Sequence, residues 1–165
     1  MWSLVMITAL AALTGFYTTV SQQASSVAEN RKAMELAENM ALYREAVIRY
    51  YTAHDVTNAS ASMQELKAEK VIPEWSTLYT DTAAPLWGNY RDAGGMIYVY
   101  ATRLPPVNIA SEMAELSRYS YFAGSYQQAG MVLKSPKYGN TGISLAALAG
   151  RSVPDNAPVW LGRRR

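Results

Sequence analysis

The chain has 165 residues, one His, no Cys and a formal net charge of +2, from 15 Lys and Arg against 13 Asp and Glu. Lack of any thiol excludes thiolate catalysis, disulfide stapling and cysteine-ligated metal. A charge so evenly balanced excludes a nucleic-acid reader with the usual basic stripe; the one cationic run, Arg163-Arg164-Arg165, reads as a solvated tail, with docking to acidic lipid or an acidic partner as its alternative.

The first 28 residues carry no charged side chain, and the run from Trp2 to Val20 is apolar. As a helix it spans ~28 Å, close to the ~30 Å hydrocarbon core of a bilayer. No Lys or Arg precedes it, and Ser21-Gln-Gln-Ala24 offers a poor cleavage site, so an uncleaved anchor is expected rather than a signal peptide. Trp2 at one edge and Phe16 with Tyr17 near the other suit interfacial aromatics. We take residues 1–22 as a transmembrane anchor and 23–165 as a head the size of one domain. The nearest cations, Arg31 and Lys32, weakly favour a cytoplasmic side for the head.

Residues 26–51 hold neither Gly nor Pro, and Ala33, Leu36, Met40, Tyr43, Val47 and Tyr50 or Tyr51 recur at three- and four-residue steps. That predicts an amphipathic helix continuous with the anchor. Glu45 and Arg49 form a favourable i,i+4 pair on it. A loop from His54 to Ser60 follows. Ser62-Met-Gln-Glu65 is a capping box opening a short helix to about Lys70, closed by Val71-Ile-Pro-Glu-Trp75.

Residues 86–90 and Met96-Ile-Tyr-Val-Tyr-Ala-Thr102 flank a turn at Gly94-Gly95 and predict a hairpin. On the second strand, Ile97, Val99 and Ala101 face one side and Tyr98 with Tyr100 the other. A second amphipathic helix is predicted over 110–121, strands over 125–134 and 157–161, and a short helix over 144–148. The expected fold class is therefore α+β: a transmembrane helix running into a long amphipathic helix that packs on a small antiparallel β-sheet.

This layout resembles the pilins and pseudopilins. More closely, the chain is similar to the small membrane-anchored PilM proteins of type IVb thin pili carried by conjugative plasmids. The resemblance rests on the length, the N-terminal apolar run, the helix through Tyr50-Tyr51, Met63-Gln-Glu-Leu-Lys-Ala-Glu-Lys-Val-Ile-Pro-Glu-Trp75 and Gly88-Asn-Tyr-Arg-Asp-Ala-Gly-Gly-Met-Ile-Tyr-Val-Tyr100. It implies an inner-membrane component of pilus biogenesis with a periplasmic head, against the cation vote, whose partners are pilin or assembly-machine subunits; self-association fits it too. Gly15-Phe16 mimics the cut of a pilin leader, but the apolar run precedes it and the fifth residue from Phe16 is Val20 rather than Glu. Processing and polymerisation as a major subunit are not expected.

Candidate chemistry is sparse. His54 beside Asp55 suits a helix C-terminus, and Gly142-Ile-Ser-Leu-Ala146 lacks the last Gly of a nucleophile elbow. A hydrolase using His54 and Ser144 is the weakest reading, so no enzyme, catalytic residue, cofactor or metal is expected. The 12 Tyr and 4 Trp point instead to half-buried surfaces. Trp75, Trp87, Tyr98 and Tyr100 are the candidate partner contacts. The alternative function is an exported glycan- or peptidoglycan-binding module released from a cleaved signal, since exposed aromatics serve that role equally.

Overall fold

The computed structural model describes residues 2–80 and 85–164, with side chains from residue 26 onward. The chain is α+β. Its first helix, α1 (Trp2–Ala53), packs on a six-stranded antiparallel sheet. No helix among the described residues is long and apolar enough to cross a membrane; the anchor expected at 1–22 lies outside the residues whose side chains are described.

The stripe on α1 follows the expected period. Ala33, Ala37, Met40, Tyr43, Val47 and Tyr51 are buried, with Tyr51 rather than Tyr50 turned inward. Steps of three and four keep these groups on one face, and each large buried apolar side chain contributes ~1.5–3 kcal/mol. Ser62 caps α2 (Met63–Ala68) with the full reciprocal box: its Oγ accepts from Glu65 N at 3.2 Å, and Glu65 Oε2 accepts from Ser62 N at 2.7 Å. Pro73 and Ser76 close a tight turn, Ser76 N donating to Pro73 O at 3.0 Å, before α3 (Thr77–Thr80).

The strands are β1 (Trp87–Arg91), β2 (Met96–Ala101), β3 (Ala123–Gln127), β4 (Val132–Ser135), β5 (Gly139–Ser144) and β6 (Pro158–Arg163), in the order β1-β2-β6-β3-β4-β5. The β1–β2 hairpin pairs Trp87 with Ala101 and Arg91 with Ile97. Its turn is held by Asp92, whose Oδ1 accepts from Met96 N at 2.8 Å, and by Gly95 at φ 79°, a conformation Gly adopts without steric cost.

The structure departs from expectation in four places. The single strand at 125–134 is a hairpin, β3 and β4, reversing through residues 128–131. β5 was not anticipated. The second helix, α4 (Ala110–Leu116), stops five residues short of 121. Arg118 N donates to Glu115 O and Tyr119 N to Ala114 O, a Schellman closure, with Arg118 and Tyr119 both left-handed at φ 53° and 56°. The helix expected at 144–148 is a 3-10 turn, Ala146–Leu148.

The sheet carries a core on each face. Ile97, Val99 and Ala101 join α1, α2 and α4 in the larger one. On the other face Tyr98 and Tyr100 pack with Tyr126, Leu133, Val159 and Leu161, under Leu145 and Leu148.

Candidate functional site

The structure scatters the four candidate contact residues. Trp75 sits between α2 and α3 at the tip of the Pro73–Ser76 turn and is 81% exposed. Trp87 is 2% exposed, and its Nε1 donates to Asn39 Oδ1 at 2.8 Å. Tyr98 and Tyr100, placed as expected on the face away from α1, are 6% and 7% exposed. The 3-10 turn and its flanks lie over that face, and Tyr98 spends its hydroxyl on Asp92 Oδ2 at 2.9 Å. The expectation that these tyrosines present themselves at the surface is corrected: three of the four rings are core, and Trp75 is the one that solvent reaches.

Beside Trp75 a cleft of about 260 Å³ runs along α1, bordered by Glu35, Glu38, Leu42 and Leu78. A larger hollow of about 530 Å³ continues from it between α1, α2 and the start of β1, lined by Leu36, Met63, Lys67 and Trp87. Asn39 divides the two, donating from Nδ2 to Thr77 Oγ1 at 2.7 Å.

A second aromatic surface was missed at the level of sequence. Tyr119, Tyr121, Phe122 and Tyr138 are each about half exposed. Tyr121 and Tyr138 stack at 4.1 Å with 11° between planes. Lys137 Nζ lies 5.0 Å from the Tyr119 ring centre and 5.2 Å from that of Tyr138, within cation–π range. Tyr119, Tyr121 and Phe122 come from the α4–β3 connection and Lys137 and Tyr138 from the β4–β5 turn, so no local periodicity gathers them.

Asn89 on β1 holds a buried polar knot. Its Nδ2 donates to Tyr43 Oη at 2.8 Å and to Ala61 O at 2.7 Å; its Oδ1 accepts from Ala61 N at 2.9 Å and lies 3.2 Å from Tyr51 Oη. Tyr51 Oη in turn donates to Ala59 O at 2.8 Å. Every polar atom of the amide is matched, which makes the knot structural. Burial raises the Tyr43 pKa and pushes that of Tyr51 up to about 12; burial and then Asp92 push Tyr98 up to about 12. Ordinary tyrosines in the unfolded chain ionise near ~10. The folded state thus holds the protons more tightly, and its stability is intact below ~10 and falls as pH rises from there through about 12. We expect cooperative alkaline unfolding in that window, with a step in tyrosinate absorbance from the buried rings accompanying the loss of circular dichroism. Circular dichroism that stays native through that window would contradict it.

The remaining candidates occupy structural positions. His54 stacks on Tyr50 at 4.5 Å, with Nδ1 3.1 Å from Tyr50 O and Nε2 3.6 Å from Glu69 Oε1. Ser144 Oγ accepts from Ala146 N at 3.3 Å, at the entry to the 3-10 turn. Glu45 and Arg49 pair at 3.4 Å. The cationic terminus is not simply a solvated tail: β6 reaches Arg163, and Arg164 Nη1 meets Asp55 Oδ1 at 2.6 Å, beside Arg91 Nη2 at 3.0 Å. Hydrogen bonds from Arg91 and then Arg164 hold the Asp55 carboxyl below its usual range. Arg165 lies outside the described residues. No group of three metal-ligating side chains gathers among the described residues.

Against known proteins, the family model PilM matches residues 7–161. No curated protein and no solved structure matches.

Proposed function

The chain belongs to the PilM family, and from that membership we propose that it is a non-enzymatic inner-membrane component of type IVb pilus biogenesis that binds pilin or other subunits of the assembly machine. The observation that carries the reading is the extent of the family match, which takes in most of the apolar N-terminal run and nearly all of the head. The uncharged stretch before Glu29 supports an anchor at 1–22. A binding role in place of chemistry is supported by His54 and Ser144, whose polar atoms are engaged in helix-end and turn contacts. Trp75 is the contact we assign to a partner, being a large exposed ring on a rigid turn beside a cleft.

The test is deletion of the gene in a piliated host, complemented with the full chain or with Trp75→Ala. Pili should disappear on deletion, return with the parent and return poorly with Trp75→Ala, while the chain fractionates with the envelope and is released by detergent. Normal piliation after deletion, or a full-length chain that leaves with buffer alone, would overturn the proposal.

A further inference from the structure

Two surfaces of the head carry opposite charge, one built on α1 and the segment from Trp75 to Leu78, the other on the α4–β3 and β4–β5 connections. The first is the cleft beside Trp75. Glu35 and Glu38 border it, Glu74 precedes the exposed ring, and none of the three takes part in an ion pair among the described residues. The second is the tyrosine surface. It carries Lys137 between Tyr119 and Tyr138, with exposed Arg118 next in sequence to Tyr119; neither cation is in an ion pair among the described residues.

From this pairing we propose that copies of the chain associate head to tail, the tyrosine surface of one copy seating on the Trp75 cleft of the next. Three unpaired carboxylates beside an apolar cleft accept a cationic aromatic projection. Tyr119, Tyr121, Phe122 and Tyr138 are each about half exposed, so the surface offers a broad aromatic contact around Lys137. A stacking platform for sugar is the less fitting use: Tyr138 has one face against Tyr121 and carries Lys137 besides, so its flat faces are already engaged. Because the two patches differ, the contact is heterologous, and it propagates into a row or ring rather than closing as a two-fold dimer. The inference takes from the proposed function only the reading of Trp75 as a contact, and it names a second copy as one partner.

The test uses the full chain in mild detergent, followed by sedimentation at rising concentration. One variant carries Glu35→Lys with Glu38→Lys; the other carries Arg118→Glu with Lys137→Glu. The parent should self-associate, more weakly at high salt. Each variant alone now opposes like charges and should associate about ten-fold more weakly. An equal mixture should recover, because the altered cleft of one variant is complementary to the altered tyrosine surface of the other, and their two unaltered patches still match each other. Association through the apolar N-terminal run would respond to neither reversal, so variants that associate like the parent overturn the proposal. A parent that stays monomeric, or a mixture that does not recover, overturns it as well. None of these outcomes touches the deletion phenotype, so the two readings fail separately.

Discussion

Asn89→Ala is expected to destabilise the head by about 4 kcal/mol, enough to consume much of the stability of an ordinary domain. The methyl group removes both donors and the acceptor of the amide at once. Tyr43 Oη and Ala61 O lose donors at 2.8 and 2.7 Å, and Ala61 N loses its acceptor at 2.9 Å. All of these groups lie where water does not reach: Asn89 is 3%, Tyr43 2% and Ala61 6% exposed. Each buried polar group stranded in this way costs ~1–3 kcal/mol, far more than a net hydrogen bond contributes. Tyr43→Phe removes only one partner of one bond and should cost about 1 kcal/mol. Urea unfolding of both variants checks the ranking: the midpoint should fall steeply for Asn89→Ala with little change in slope. Similar midpoints for the two would show that the knot contributes no more than its separate bonds.

That knot explains how the parts are registered. It joins α1 through Tyr43 and Tyr51, the following loop through Ala59 and Ala61, and β1 through Asn89. The elements themselves were legible because their signals are local. Three- and four-residue spacing marked α1, Ser62 and Glu65 marked the start of α2, and Gly94-Gly95 between two aromatic runs marked the first hairpin. Alternation along β2 separated Tyr98 and Tyr100 from Ile97 and Val99 correctly. It could not say what lies over the tyrosine face. That depends on Leu145 and Leu148, more than forty residues later, in a turn too short to show a period. β5 escaped for a related reason: Gly-Asn-Thr-Gly-Ile-Ser is small and polar, and its side chains alternate between exposed and half-buried rather than between exposed and core. α4 was overextended because its Schellman ending uses Arg118 and Tyr119, residues that carry no stop signal, where Gly would have announced one. The candidate site suffered most from this. Aromatic content located the head's important side chains but not which were covered, since a ring suits a core and an interface alike.

Gly124 is the other position where a single methyl group should do large damage. It lies in β3 against β4, and it is needed for closeness of approach rather than for an unusual φ. A Cβ at this position would overlap the carbonyl oxygen of Lys134, stand 2.8 Å from its carbonyl carbon and 3.2 Å from Ser135 Cα. These are backbone atoms of the neighbouring strand, so no rotamer change makes room. Relief requires β3 and β4 to part, which strains the Ser125–Lys134 pairing and disturbs Leu133 and Tyr126 on the second core. Forcing volume into packed structure typically costs ~1–3 kcal/mol, and fixed backbone on the far side places Gly124→Ala at about 3. Gly142→Ala provides the contrast. Nothing lies within 4 Å of its Cβ, and its φ of 70° carries only the ordinary left-handed penalty, about 1 kcal/mol. Comparing the thermal unfolding of the two variants separates crowding from backbone strain. If Gly142→Ala proves the more damaging, the tight β3–β4 approach is not what Gly124 is there to permit.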